Sequence, residues 1–238
     1  MIQFENVKIG YKKNLFSIDA LKLIQGEVYA LVGANGSGKS TLLKAIKGDS
    51  NAYSGEIKFN DDSLNDLSIQ EKAKLIASVN PFQEKIPFIK VEEFVLLGRT
   101  PHINFLGAYS KNDLEKVEEL LNTLGLLKLS TKFLDEVSDG ERQLLSIARA
   151  IVQDTEVIVL DEPTAFLDYV NRVKVIRLLK EIALKYNKCI LFSSHELELC
   201  IKEELKMLLI NKINQHLESK ESKNATIEEI IAKSFLKC

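Results

Sequence analysis

The run Gly33-Ala34-Asn35-Gly36-Ser37-Gly38-Lys39-Ser40-Thr41 has the residue types and spacing of a phosphate-holding loop, G-x-x-x-x-G-K-[ST]. Its glycines allow positive φ, so successive backbone N–H groups can curve around phosphate oxygens. A helix starting near Lys39 adds its positive dipole end. Lys39 offers a mobile charge to β- and γ-phosphates, and the Ser40 hydroxyl can ligate Mg²⁺. A second group of chemical residues follows the apolar run "VIVL". Asp161 there can hold Mg²⁺ through water. Glu162, next in sequence, can orient and deprotonate an attacking water, which is needed because hydroxide is scarce at neutral pH. His195 closes "ILFSSH", at the strand end where open α/β sheets bind ligands, and could sense or stabilise a γ-phosphate. His102 and His216 lack such a setting and are read as structural.

The stretch "VSDGERQLLSIARA", from Val137, is a second helix start suited to an anion. Ser138 and Glu141 have capping-box spacing. Leu144, Ile147, Ala148, Ile151 and Val152 fall on one face of the helix that follows. Gly140 lies in its first turn.

The elements that must position these residues alternate in the order of an open α/β sheet. "IQFENVKI", "LFSIDALKLI" and "EVYALVG" read as strands, the last running into the phosphate loop. "KSTLLKAIKG" reads as a helix ended by Gly48, and "GEIKF" as a strand followed by the polar turn "NDDS". Residues from about 84 to 153 read as a helical insertion. Within it, "SKNDLEKVEELLNTLG" starts on Ser110 and Asp113, ends at Gly125, and carries Leu114, Val117, Leu120, Leu121 and Leu124 on one face. "EVIVLDE" is apolar throughout, as a strand buried on both faces is. A helix follows from about Tyr169 to Tyr186, then the strands "CILFSSH" and "MLLI". The tail, about 211–238, is charged and weakly patterned, with one helical candidate at "TIEEIIAKSFL". Fold class is therefore α/β: a phosphate-loop nucleotidase sheet with an N-terminal antiparallel β subdomain and a helical insertion, in a single domain spanning 1–238.

Composition narrows the classes. The 238 residues carry 32 basic and 34 acidic side chains, a formal net charge of -2. That balance lacks the basic excess of a nucleic-acid binder. Cys189, Cys200 and Cys238 have no paired spacing, which fits neither a disulfide framework nor a zinc site and suits a reducing cytosol. The N-terminus alternates like a strand and lacks a signal peptide's apolar run. No run of 18 apolar residues is present to span a membrane, which leaves docking on a membrane partner open.

With "GANGSGKST", "VSDGERQ" and "VIVLDEPTAFLD" in this order, the chain resembles the ATP-binding cassette (ABC) proteins from Tyr11 to about Ile210. The resemblance implies ATP and Mg²⁺ as ligands. It implies that Tyr11 stacks on adenine. It also implies that Gln83 reaches Mg²⁺ and the water while linking to the insertion, although Phe82 separates it from the usual proline. Ser138, Asp139, Gly140 and Glu141 match the signature that caps ATP bound to a partner copy, with Asp139 in place of a glycine. Asp139 sets a carboxylate beside a triphosphate site, so its side chain is expected to point away from the nucleotide. Ala165 to Asp168 match the loop that crosses to that copy, with a bulky Phe166, and His195 matches the family's switch histidine, followed by Glu196.

A narrower similarity lies in "VLLGRTPHINFLGAYSKND". Its GR-x-PH segment is similar to cassettes of importers for iron-siderophore, haem and cobalamin complexes, although Gly98 and Pro101 could simply break one helix before the next. The expected function is therefore the ATP-hydrolysing subunit of an importer. It would act as a head-to-tail dimer, peripheral on the cytoplasmic face of the membrane, with a separate permease and an extracytoplasmic binding protein, and with no nucleic acid. The competing class is a soluble cassette that clamps another macromolecule in DNA repair or translation. Such relatives usually carry two cassettes, a long coiled coil or a basic face. An unrelated phosphate-loop kinase would need neither "SDGERQ" nor Glu162.

Overall fold

A computed structural model describes residues 1–80, 86–103, 107–165, 167–221 and 227–234. Strands β1 (Ile2–Ile9), β2 (Phe16–Leu23) and β3 (Val28–Val32) lead through the glycine-rich loop into α1 (Lys39–Ile46). Next come β4 (Tyr53–Phe59), β5 (Asp62–Ser63), α2 (Ile69–Leu75) and β6 (Ile76–Val79). The helical stretch holds α3 (Val91–Leu96), a 3-10 turn at Leu97–His102, α4 (Lys111–Thr123) and α5 (Asp139–Val152). The chain then returns to the sheet with β7 (Val157–Leu160), α6 (Tyr169–Lys185), β8 (Cys189–Ser194), α7 (Leu197–Lys202), β9 (Lys206–Asn211), β10 (His216–Glu221) and α8 (Ile227–Ser234).

Among the described residues the strands form one sheet, in the order β5-β4-β1-β2-β10-β9-β3-β8-β7-β6. The stretch from β9 to β6 is parallel, and β1, β2, β4 and β5 pair antiparallel. The inner strands are buried on both faces, which explains why their sequences run apolar instead of alternating. Val28, Ala30, Val32, Ile158, Leu160, Ile190 and Phe192 face the core shared with α3 to α8. Tyr29, Leu31, Val157, Val159, Cys189 and Leu191 face the opposite core, built with α1, β1, β2 and β4. The first strand instead alternates, because one of its faces is open to solvent.

Several features of the fold go beyond the sequence reading. The tail after Asn211 is structured: β10 pairs with β9 and meets β2 at His216–Ser17, and α8 buries Ile230 in the core. Apart from its hairpin with β9, its place rests on the distant β2, and the outward side chains of β10 hide it from pattern reading. β10 joins the antiparallel strands to the parallel half in one sheet. The helical stretch packs on that sheet: Phe94, Val117 and Ile151 lie in the same core as Ile158 and Phe192. Leu114 departs from its expected face and is exposed. Helix α2 and strand β6 went unread. The helix buries no side chain and rests on a Ser68–Glu71 capping box, so it has no apolar stripe to detect.

The "GRTPH" segment has a packing role. A Cβ on Gly98 would stand 2.2 Å from the Arg149 carbonyl oxygen, so only glycine lets this turn seat on α5. Arg99, buried, donates from Nε to Asp113 Oδ1 at 2.7 Å and from Nη1 to the Val152 carbonyl at 2.9 Å. His102 Nε2 lies 2.8 Å from the Gln153 carbonyl. The Arg99 guanidinium thus meets the carbonyl end of α5, where the helix dipole favours positive charge. Burial alone would push the Asp113 carboxyl up. The hydrogen bonds from Ser110 and the ion pair with Arg99 outweigh it and hold the group at about 2. Asp113→Ala would strand a buried guanidinium, at a cost of about 3–5 kcal/mol by chemical denaturation. Because the carboxyl is depressed from 3.8 to about 2, its contribution is complete above about pH 4 and is lost as pH falls toward 2. A stability titration that shows the wild type and Asp113→Ala converging in that window checks both points.

Candidate functional site

The glycine-rich loop leaves the buried end of β3 and turns into α1. Gly36 and Gly38 have φ of +72° and +106°, a region favoured by glycine. At Gly38 space is also short, since an added Cβ would stand 2.9 Å from the Phe16 ring. Asn35, Gly36 and Ser40 are exposed at the crest, whereas Lys39 is buried. Its Nζ donates to the Gly33 carbonyl at 2.8 Å and the Ala34 carbonyl at 3.2 Å, so the loop's own oxygens satisfy the cation. Burial pulls the Lys39 pKa down, and the nearby Glu162 and Asp161 pull it back up. From outside, the end of α8 reaches this loop: the Ala34 amide donates to the Ser234 carbonyl at 3.3 Å. This contact was not legible in the sequence.

Strands β7 and β8 run parallel to β3 and bring their carboxyl ends to the same edge. Leu160 pairs with Phe192, so Asp161 and Ser193 come level just beyond. The Ser193 hydroxyl donates to Asp161 Oδ1 at 2.6 Å and accepts the Glu162 amide at 2.8 Å. Glu162 has φ +49° and its Oε1 lies 2.6 Å from His195 Nε2. An ionised carboxylate only accepts, so in this pair Nε2 carries the proton. Lys39, Asp161, Glu162 and His195 thus meet on one edge, with Ser193 as a support that no motif flags.

The other sequence-derived residues stand apart. Ser138 caps α5: its hydroxyl accepts the Glu141 amide at 3.3 Å and donates to Glu141 Oε2 at 2.8 Å, while its own amide donates to the same oxygen at 2.9 Å. These bonds hold the Glu141 carboxyl below its ordinary pKa. Asp139 accepts from Arg142 Nη1 at 2.5 Å, and Arg142 is fixed below by the Val137 and Leu134 carbonyls. An added Cβ at Gly140 would stand 3.3 Å from Leu167, in the segment that follows Glu162. Asp168 caps α6 through the Asn171 amide at 2.9 Å. Tyr11 is exposed, and its hydroxyl donates to Asp49 Oδ2 at 2.9 Å. Gln83 and Phe166 lie outside the described residues.

The chemistry of this edge suits a magnesium nucleotide. A hydroxyl on Ser40 and a carboxylate on Asp161 are hard oxygen donors, and Mg²⁺ typically takes one or two protein ligands plus phosphate oxygens and water.

The ABC transporter family model matches residues 17–165. The chain is 34% identical over 203 residues to the achromobactin transport ATP-binding protein CbrD of Dickeya dadantii, covering 84% of this chain and 75% of that one. It is 32% identical over 222 residues to the phosphonates import ATP-binding protein PhnC of Lactococcus lactis subsp. cremoris, covering 89% and 90%. Among solved structures it resembles a chain described as an inward-facing, metal-chelate type ABC transporter, with a TM-score of 0.83, 30% identity, and coverage of 98% of this chain and 88% of that one. The phosphate loop, the Asp161–Glu162 pair and the Ser138 helix end thus stand on a shared fold, and the chain belongs to the ABC transporter family, as one of its ATP-binding ATPases.

Proposed function

We propose that this chain is the energy-coupling ATPase of an importer and works as a homodimer around ATP. The observation that carries the reading is the meeting of Lys39, Asp161, Glu162 and His195 at one sheet edge, with His195 on Glu162 at 2.6 Å. Lys39 exchanges its loop carbonyls for β- and γ-phosphate oxygens, and the amides from Gly33 to Thr41 curve around them. Ser40 and Asp161 would hold Mg²⁺, with Gln83 as a further ligand, and the cation would supply neutralisation of the phosphate charge. Glu162 orients the water in line with the γ-phosphorus and takes its proton. His195 fixes the direction of that carboxylate. Tyr11 stacks on the adenine, its ring tethered through Asp49.

The free end of α5 completes the site from a second copy. Ser138 and Gly140 add a helix N-terminus to the γ-phosphate. Asp139 is tied back to Arg142, which reduces its repulsion toward the triphosphate. Asp168 and its loop cross between copies. The permease is a separate polypeptide in this reading; no helix among the described residues is long and apolar enough to cross a membrane. Phe88 and Ile103, both exposed, offer apolar surface to that permease. The chain works at the cytoplasmic face of the membrane, in a system that also has an extracytoplasmic binding protein. The transported ligand is an iron complex, haem or cobalamin. The achromobactin and iron(3+)-hydroxamate relatives support an iron complex, and the phosphonate importer among the relatives marks the breadth of the group.

Glu162→Gln keeps ATP binding and lowers turnover by about 10²–10⁴-fold, the usual worth of a general base; turnover at the wild-type rate would remove Glu162 from that role. Lys39→Ala loses tight ATP binding in a nucleotide titration, and undiminished affinity would contradict its assignment. Ser138→Arg leaves nucleotide binding by the monomer intact and blocks ATP-dependent dimerisation by light scattering. A variant that still dimerises and turns over normally would exclude the capping role.

A further inference from the structure

Ser193 belongs to none of the motifs that mark this family in the sequence. It sits near the end of β8, 0% exposed, in a run that reads as plain strand. Its hydroxyl has one proton and two lone pairs. The proton goes to Asp161 Oδ1 at 2.6 Å, and a lone pair receives the Glu162 amide at 2.8 Å. One side chain thus fixes two neighbouring acids by opposite kinds of bond. Only serine or threonine fills both roles at this size, because alanine offers neither and cysteine offers both weakly.

The support acts where the backbone resists. Glu162 has φ +49°, a region costly for a residue with a Cβ, and such a conformation persists only where surrounding contacts over-determine it. The bond from the Glu162 amide to Ser193 holds one side of this residue, and the bond from the Ala165 amide to the Glu162 carbonyl at 3.0 Å holds the other. Two residues further on, His195 takes the Glu162 carboxylate at 2.6 Å. His195 lies just past the end of β8. The end of β8 therefore grips Glu162 twice, at its amide through Ser193 and at its carboxylate through His195. Taking Oδ1 of Asp161 also fixes which oxygen that side chain leaves free.

We infer that Ser193 is a positioning residue that sets the mutual geometry of Asp161 and Glu162, and with it the alignment of water and cation against the γ-phosphate. This rests on the roles proposed above for those two acids.

The test compares the full-length wild type with Ser193→Ala, Ser193→Thr and Glu162→Gln, by steady-state ATPase assay, ATP titration with and without Mg²⁺, and hydrogen exchange of the Glu162 amide. The inference predicts that Ser193→Ala lowers kcat by about 10²-fold, the usual effect of a misplaced catalytic group, with KM for ATP and metal-free ATP affinity little changed. It also predicts that Ser193→Ala weakens the Mg²⁺-dependent gain in affinity and speeds exchange at Glu162. Ser193→Thr, which keeps the hydroxyl and suits a strand, recovers these properties. Near-normal kcat in Ser193→Ala beside a disabled Glu162→Gln would overturn the inference and leave the acids' roles standing. A parallel loss of kcat and metal-free ATP affinity, with unchanged exchange at Glu162, would mark a merely structural residue and also overturn it. Normal turnover in Glu162→Gln would remove the reading beneath it, and the inference with it.

Discussion

The parallel strands β9, β3, β8, β7 and β6 are covered on both faces, so a charge can enter this half of the sheet only where a strand ends. The rest of the site follows from that constraint. The parallel register brings the ends of β3, β7 and β8 to one edge, and each end delivers a different tool. β3 gives the phosphate loop, β7 gives Asp161 and Glu162, and β8 gives Ser193 and His195. Each of these groups has a partner at the edge. Lys39 takes loop carbonyls, Asp161 takes a hydroxyl, and Glu162 takes an imidazole. With the roles proposed, a triphosphate would compete with bonds already made by offering Lys39 a full negative charge in place of neutral carbonyls.

The second element proposed to hold phosphate, the N-terminal end of α5, is built separately. Its capping box satisfies Ser138 and Glu141 within the helix, and Asp139 spends its charge on Arg142. The far end of the same helix is gripped by Arg99 and His102. Helix α5 is thus fixed at its carbonyl end and finished, but uncovered, at the end that would meet a nucleotide. In the proposed dimer such a helix end gains its use when a second copy brings its own loop and ATP.

Local chemistry was legible in the sequence. The phosphate loop, the acid pair and the Ser138 cap each lie within nine consecutive residues, and their spacing alone encodes the geometry. The inner strands were legible because burial on both faces forces apolar runs. What escaped reading was long-range. Ser193 acts on residues 31 and 32 positions away and looks like any strand serine. The Ser234 carbonyl that meets Ala34 is backbone, which carries no residue signal. Strand β10 gains its place from β9 and β2, and its outward side chains show no apolar alternation. The "GRTPH" segment was visible as a motif, but its reason, a turn pressed against the α5 carbonyls, needed the fold.

The central claim is that each ATP is held by the sheet edge of one copy and the α5 end of another. Mixing the chain carrying Lys39→Ala with the chain carrying Ser138→Arg tests it most directly. In a mixed dimer one site collects both defects and the other is intact, so two inactive preparations regain ATP turnover on mixing. If the mixture stays as inactive as its parts, while each preparation remains folded, both elements act within one chain and the account is contradicted.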